Sequence, residues 1–510
     1  MSGVRRLGAA AVALARAERR LAGIAGSVVG SNLVTSVLGL AFWMLAARGL
    51  TPAPLGTLGA AAAAMGLIGL LGSMGMGPFL ISELPRIPER ERWELFAVGT
   101  AVTLVVGAGL GGVFAVVAAA TGDTWAPLRF PGASWWWFTV GCALTAASTA
   151  LDGAMLVVGN PAMQVWRNTV ASTWKVAALG VALPLSAVSV DLGLAAWTTG
   201  MLAGTALALR AAVRQLPSGK PPGGEPGGAL PVGEPGSRSG AGWRSRAVSP
   251  SRVVVLVRRH AALAMGHHGV NLALAASSVA MPALIAWVVS PEENGVFTTV
   301  RLAAAQACLV PYALSMALFA ASVGDGGYDA RRSRRVLLAA LGISAGLYLA
   351  VFAFARPVLL LFGAAYADLG VGYLRVMALA APLLVFKDQF IAVSRVRRSV
   401  ASIVPFAAVS AVLEVSFAVG GALRWQLMGA ICGWLLALLL QAGYVAPRLA
   451  WRSPDRRRTG APGVPEAPGV PEAPGAPGAP GVAGAPSAPA AAEAAEVFSA
   501  APGRDVAVGG

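Results

Sequence analysis

The residues with the clearest chemical potential are three cations in or beside long apolar runs. Lys175 and Arg301 lie well inside such runs, and Arg48 lies near the end of one. An ionised side chain at membrane depth is costly, so it is by default a functional hypothesis. We therefore predict that these three cations line a hydrated cavity and bind anionic groups. For Arg48 the alternative is that its side chain extends to the membrane surface.

Three acidic residues stand out in the same kind of run, namely Asp152, Asp388 and Glu414. Glu414 follows Lys175 by 239 residues, an offset that recurs elsewhere in the chain. Opposite charges in a cavity can neutralise each other while no ligand is bound. We therefore regard these acids as candidates for coupling or for ion pairs, and a purely structural ion pair is an equal alternative.

His267 and His268 begin a later apolar run, beside Asn271. A histidine can change its charge near neutral pH, which makes His267 a candidate for proton coupling. The alternative is that both histidines are hydrated and inert at the edge of the membrane.

The composition is that of a membrane protein. Of the 510 residues, 56% are hydrophobic and only 12% are charged, whereas soluble domains contain about 25% charged residues. Runs of roughly 20 apolar residues recur, as membrane-spanning helices require. A net charge of +16 would suit nucleic acid, but the basic residues cluster in alternate loops, which is the positive-inside pattern. We therefore expect no nucleic-acid partner.

We predict twelve membrane-spanning helices. Their ranges are 24–47, 55–82, 94–120, 134–158, 168–189, 192–213, 261–289, 296–322, 336–362, 371–394, 401–421 and 427–446. With both termini in the cytoplasm, the inner segments contain 30 Lys and Arg residues against three in the outer loops. This bias sets the orientation, so the prediction is a multi-pass protein of the plasma membrane with cytoplasmic termini.

The two halves of the chain resemble each other faintly. Gly30, Asn32, Pro52 and Gly56 recur 239 residues later as Gly269, Asn271, Pro291 and Gly295. A duplicated set of membrane helices is typical of transporters, whose substrate path lies between the copies. Asn32 and Asn271 are expected to form hydrogen bonds between helices. Coincidence is the alternative, because Gly and Pro are abundant in this chain.

Five segments follow from these observations. They are a cytoplasmic amphipathic N-terminus (1–23), an N-terminal six-helix lobe (24–213), a disordered cytoplasmic linker rich in Pro and Gly (214–258), a C-terminal six-helix lobe (259–450) and a disordered cytoplasmic tail (451–510). The linker and the tail are predicted to be disordered because their composition cannot form a buried core.

Three short stretches resemble one known family. Residues 42–56, in which an Ala-Arg precedes a Pro-containing turn, look like the opening of its first two spans. Residues 361–367 resemble its Phe-Gly-x-x-Tyr turn before span ten, and residues 295–303 resemble its start of span eight. The family is the polysaccharide and oligosaccharide-lipid flippases of the multidrug/oligosaccharidyl-lipid/polysaccharide exporter superfamily. The similarity extends over roughly 24–450, apart from the linker.

The resemblance implies an all-α integral membrane fold with twelve transmembrane helices, in two six-helix lobes related by a pseudo-two-fold along the membrane normal. It also implies a flippase that moves a polyprenyl-diphosphate-linked oligosaccharide, or a related glycolipid precursor, across the plasma membrane for cell-surface polysaccharide synthesis. Lys175, Arg301 and Arg48 would then receive the anionic diphosphate. The implied partners are the lipid-linked glycan, membrane lipids and, without direct support, glycan-assembly proteins.

Two alternatives stay open. A multidrug antiporter of the same superfamily shares this architecture, although the deep positions here are basic. A membrane glycan polymerase or ligase would need a polar catalytic loop outside, and the sequence contains none. The sequence also contains no catalytic constellation, metal-ligand cluster or phosphate-binding loop. We therefore predict a protein that is not an enzyme and needs no cofactor or metal.

Overall fold

The computed structural model of the chain describes residues 34–87, 89–157, 161–215, 250–324, 330–396 and 400–451. These residues form helices and turns, and no β-strand occurs within the described ranges. Helices suit this sequence because a helix satisfies the hydrogen bonds of its own backbone. The hydrocarbon of a membrane offers the backbone no hydrogen-bond partners. The predicted all-α fold class is confirmed.

The N-terminal lobe, called the N-lobe below, comprises the described residues of the first half. Its helices are α1 (Val34–Gly49), α2 (Pro52–Gly72), α3 (Met76–Glu83), α4 (Glu89–Thr121), α5 (Ala133–Val157), α6 (Pro161–Ala182) and α7 (Val190–Gln215). A short 3-10 helix, Asp123–Leu128, joins α4 to α5. Helix α5 is central to the lobe, because α2, α3, α4 and α7 all pack against it.

The C-terminal lobe, called the C-lobe below, comprises the second half. Its helices are α8 (Pro250–Ile285), α9 (Pro291–Gly324), α10 (Ala330–Ala353), α11 (Ala355–Leu360), α12 (Ala364–Met377), α13 (Ala380–Val396) and α14 (Val400–Trp451). Helix α9 packs against α10, α12 and α13, and α14 packs against α8 and α13. The two lobes meet where α2 packs against α8 and α9.

Helix α14 is a hairpin of two helical arms. Its backbone leaves helical geometry at Trp425 (φ −139°) and Gln426 (φ 52°). Beyond that turn, Gln441 donates a hydrogen bond to Glu414 at 3.1 Å, whereas a straight helix would separate these residues by about 40 Å. Helix α14 therefore contains both of the last two predicted spans.

Two predicted boundaries are wrong. The span predicted at 168–189 is the helix Pro161–Ala182, and the chain then turns through residues 183–186, where Ser186 has a positive φ of 53°. Helix α8 begins at Pro250, so residues 250–258 are helical and do not belong to the predicted disordered linker. Residues 214 and 215 of that linker belong to α7. Residues 216–249, the segment 1–23 and the tail beyond 451 lie outside the described residues.

The number of membrane crossings stays a prediction. In the described part of the chain, five helices are long and apolar enough to cross a membrane, and up to seven if each of two bent pairs is one span. The longest of them, Ile403–Leu449, is the hairpin of α14 and so supplies two antiparallel segments.

The span predicted at 55–82 is broken between α2 and α3. Met74 and Gly75 both have positive φ angles, 46° and 70°. Gly75 adopts this conformation without strain because it has no Cβ, and Pro78 shortly afterwards cannot donate a backbone hydrogen bond. The related position in the C-lobe is Leu314, and helix α9 continues through it. The break is therefore a difference between the two repeats.

Candidate functional site

Helices α2 and α9 close the predicted outer end of the boundary between the lobes. Asn294 is 1% exposed, and its Nδ2 donates a hydrogen bond to the Gly56 carbonyl at 2.7 Å. One turn further along α9, Thr298 lies directly against Gly59. A buried amide is costly without its hydrogen-bond partner. The Asn294 bond therefore favours the arrangement in which the first turns of α2 and α9 stay together.

Arg301 continues the same face of α9. It follows Asn294 by seven residues, close to two helical turns, so both residues lie on one side of the helix. The helical rise puts Arg301 about 9 Å beyond Gly295, away from the outer end. Its Nε atom is buried and has no hydrogen-bond partner among the described residues. The structure thus brings Arg301 to the lobe boundary, beneath the outer closure.

Lys175 lies among aromatic rings inside the N-lobe. Its side chain comes from α6 and is 8% exposed as a residue. Its Nζ atom lies 3.9 Å from the centre of the Trp197 ring and 5.9 Å from that of Phe42. A desolvated cation above an aromatic face gains about 2 kcal/mol. Within the described ranges, Lys175 forms no ion pair with an acid.

Arg48 lies at the predicted outer end, where hydrogen bonds join the two lobes. Its Nε donates to the Leu361 carbonyl at 3.1 Å. Close by, the Tyr366 hydroxyl donates to the Leu50 carbonyl at 2.8 Å. The first bond connects the end of α1 with the turn before α12, and the second connects the start of α12 with the turn after α1. Arg48 therefore lies in the contact between the lobes, rather than beside the deeper cation Arg301.

A third bond repeats the Arg48 contact on the opposite side. Trp287 Nε1 donates to Thr121 Oγ1 at 3.1 Å. Trp287 follows Arg48 by 239 residues, and Leu361 follows Thr121 by 240. Arg48 and Trp287 are thus donors at related positions, one in each lobe. Each donates across the boundary to a residue at a related position in the other lobe, as an interface with two-fold symmetry requires.

Glu414 forms a buried ion pair, but its partner is Lys387. Glu414 is 4% exposed, and its Oε1 accepts hydrogen bonds from Lys387 Nζ at 2.6 Å and from Gln441 Nε2 at 3.1 Å. Its Oε2 accepts from Trp434 Nε1 at 3.2 Å. Lys175, the cation at the repeat-related position, is therefore not the partner of Glu414. The two residues lie in different lobes, and related positions need not touch.

Asp152 is also neutralised by a cation. Arg167 Nη2 lies 2.8 Å from each carboxylate oxygen of Asp152. The third candidate acid, Asp388, lies partly buried on α13 beside Lys387. Two of the three acids that the sequence singles out are thus held in ion pairs inside their own lobes.

The structure describes the other candidates only in part. Asn32 lies outside the described residues, and so does the side chain of His267. Asn271 is partly buried on α8. His268 is 8% exposed, its Nδ1 has no hydrogen-bond partner in the described part of the chain, and its backbone lies against Gly75. The roles proposed for these four residues stay predictions.

Several residues of the site were not predicted. They include Arg167, Trp197, Trp287 and Asn294. Trp197 and Trp287 looked like ordinary apolar residues, because sequence periodicity does not reveal which ring faces a cation. Trp287 had one usable signal, since it occupies the position related to Arg48 by the 239-residue offset.

The fold and the site define a two-lobed α-helical membrane protein with charged residues near the lobe boundary. It is similar to a solved multidrug resistance MATE family transporter of the MOP superfamily in an inward-facing conformation. The TM-score is 0.57 at 14% identity, over 82% of this chain and 94% of that chain. An outward-facing conformation of a multidrug resistance MATE family transporter gives a TM-score of 0.50 at 13% identity, over 85% and 96%.

At these identities the likeness shows the fold, which is that of MATE transporters of the MOP superfamily. No protein-family model matches the chain. No curated protein matches it significantly.

Proposed function

We propose that the chain is a flippase that moves a polyprenyl-diphosphate-linked oligosaccharide, or a related glycolipid precursor, across the plasma membrane by alternating access of its two lobes. The fold shared with known transporters supports transport in preference to a membrane glycan polymerase or ligase. The proposed partners are the lipid-linked glycan and the surrounding lipids.

The observation that carries the proposal is the partly buried side chain of Arg301. Its Nε lacks a hydrogen-bond partner in the described part of the chain, and Arg301 follows the closed outer turn of α9. A buried N–H group that lacks a partner is costly, here on the side chain of a cation. Such a cost is reasonable where an anionic substrate group binds during each cycle, since a guanidinium can bind a phosphate through two parallel hydrogen bonds.

The balance of charges favours an anionic substrate. Glu414 and Asp152 are already neutralised by Lys387 and Arg167, whereas Lys175 has aromatic rings as its neighbours. Cations that lack acidic partners are therefore available to a substrate, while two of the candidate acids are not. This distribution suits a diphosphate better than a cationic drug.

A multidrug antiporter is the second candidate. Both solved transporters described above are multidrug resistance proteins, and a cationic drug would need an acid. Asp388 is the candidate acid for that function, because no ion pair within the described ranges neutralises it.

Glycan export tests the proposal directly. In a strain that lacks its own flippase, the chain should restore surface glycan, and Arg301→Ala should abolish the restoration at unchanged membrane abundance. Arg301→Lys should keep part of the export, because the charge survives but the bidentate geometry does not. Lys175→Ala should also abolish export, and surface glycan is measured against the abundance of each variant.

The matched control is Arg356→Ala. Arg356 pairs with Asp368 at 2.9 Å, and both side chains are more than half exposed, so its loss should leave export unchanged. Normal export by the double variant Arg301→Ala/Lys175→Ala would contradict the proposal. Efflux of ethidium that depends on Asp388, without any glycan export, would establish the multidrug function instead.

A further inference from the structure

An apolar crevice lies between the two lobes, beside the break between α2 and α3. The crevice is open on one side, and its empty space together with the solvent at its mouth is about 510 Å³. Its walls come from the α2–α3 break, from the first half of α4 and from the first half of α8. The residues that characterise it are Met74, Met76, Phe79, Val98, His260 and Met265. Methionine side chains are flexible and polarisable, and they adapt to irregular apolar ligands.

The break in the helix forms one wall of this crevice. Met74 and Gly75 turn the chain out of α2, and Phe79 of α3 then lies with its ring centre 5.3 Å from that of His260 on α8. Helix α9, which is related to α2–α3 by the internal repeat, runs through without this turn. The interruption beside the crevice is therefore specific to the N-lobe repeat.

The crevice is continuous with the surface that faces lipid. Leu95, Val98 and Val102 of α4 line it, and their spacing of three and four residues puts them on one stripe of the helix. The next residue on that stripe, Val105, is 72% exposed. An apolar side chain this exposed on a membrane helix contacts hydrocarbon. The stripe therefore leads from the bilayer into the crevice.

We propose that this crevice holds the polyprenyl chain of the substrate while the diphosphate binds Arg301, an inference that rests on the proposed function. In the predicted orientation, residues 95–102 of α4 and 260–265 of α8 lie in the inner half of the membrane. Gly56 and Gly295 pack against each other and give a common reference point. Along its helix, Met74 lies about 27 Å from Gly56, whereas Arg301 lies only about 9 Å from Gly295. A lipid with its headgroup near Arg301 and its chain towards the inner leaflet fits this spacing.

Photo-crosslinking tests the crevice in the intact protein, reconstituted in phosphatidylethanolamine and phosphatidylglycerol vesicles. One probe is a polyprenyl phosphate with a diazirine in its chain, and the other is a phosphatidylglycerol with a diazirine in an acyl chain. Adducts are assigned to residues by mass spectrometry. We expect the polyprenyl probe to label Val98 and Val102 at least fivefold more than Val113 and Val117, whereas the phospholipid probe labels the exposed Val113 and Val117 more. The same distribution for both probes would overturn the proposal.

Filling the crevice provides a second measurement. Val98→Phe should lower polyprenyl labelling of the crevice about tenfold at unchanged membrane abundance. Val117→Phe, on the same helix but outside this stripe and exposed to lipid, should leave it unchanged. If Val98→Phe leaves labelling of the remaining crevice residues unchanged, the chain does not bind there.

The crevice and the function of Arg301 can fail separately. The polyprenyl phosphate probe carries neither a diphosphate nor a sugar, so its labelling depends on the chain-binding site. Selective labelling together with normal export by Arg301→Ala would contradict only the proposed function. Loss of export in Arg301→Ala without selective labelling would contradict only the crevice.

Discussion

Gly56 of α2 and Gly295 of α9 pack against each other across the lobe boundary. A Cβ atom on Gly56 would collide with the Pro291 carbonyl, and a Cβ atom on Gly295 would collide with the Pro52 carbonyl. Both glycines and both prolines are related by the 239-residue offset. Gly56 therefore contacts Pro291, the counterpart of Pro52, and Gly295 contacts Pro52, the counterpart of Pro291. Such reciprocal contacts are required of residues next to a two-fold axis. This reciprocity makes coincidence a poor explanation of the repeat.

Gly56→Ala should destabilise the closed arrangement of the lobes. The new methyl group meets backbone atoms of Pro291 and Gly295, which cannot move without shifting α9, so we expect a loss of about 1–3 kcal/mol. The measurement is thermal unfolding in detergent. Gly66→Ala in the same helix is the control, because its methyl group would meet only Val279 at 3.7 Å. Equal melting temperatures for the two variants would contradict the close contact.

Locking the outer contact should stop transport. In a variant without Cys142, Cys308 and Cys432, Arg48→Cys and Leu361→Cys lie on opposite lobes, joined in the native protein by a 3.1 Å hydrogen bond. A short reducible crosslinker between them should abolish glycan export, and reduction should restore it, because alternating access requires the outer ends to separate.

The control pair for this crosslink lies within the C-lobe. Arg356→Cys and Asp368→Cys replace an ion pair of 2.9 Å on α11 and α12, and crosslinking them should leave export unchanged. Full export by the crosslinked Arg48→Cys/Leu361→Cys protein would mean that this contact does not open during transport.

Removing Glu414 should destabilise the C-lobe strongly. Glu414→Gln leaves the Lys387 ammonium buried, with a side chain only 16% exposed, and breaking a buried pair in this way costs about 3–5 kcal/mol. Chemical unfolding measures the loss. The double variant Glu414→Gln/Lys387→Met should recover most of the stability, because no unpaired charge remains.

The exposed pair Arg356–Asp368 provides the comparison for that loss. Its side chains are 59% and 58% exposed, so Asp368→Asn should cost no more than about 1 kcal/mol. If Glu414→Gln lowered the free energy of unfolding as little as Asp368→Asn does, Lys387 would be hydrated despite its low exposure.

The orientation of the chain in the membrane can be tested by labelling. Two variants each carry one cysteine in a cysteine-free background. Arg129→Cys, in the predicted outer loop, should react with an impermeant maleimide in intact cells. Ser237→Cys in the predicted cytoplasmic linker should react only after lysis. Labelling of Ser237→Cys in intact cells would contradict the predicted topology.

The sequence by itself determined the membrane class, the helical architecture and the turns before α2 and α9. Apolar runs are local, so their lengths can be read without knowing how helices pack, and Pro52, Gly56, Pro291 and Gly295 mark two related helix starts. The shift of one span to Pro161–Ala182 is an error of the same local kind, because an apolar stretch continues past the helix end.

Only the tertiary structure decided which charged residues are paired. Glu414 and Lys387 lie 27 residues apart, on α14 and α13, and Lys175 reaches the Trp197 ring from a different helix. Neither contact follows from periodicity, because it depends on how two helices are rotated about their own axes and offset along them. The same packing pairs Arg167 and Lys387 with acids. It leaves Arg301 and Lys175, the cations proposed to bind substrate, without an acidic partner within the described ranges.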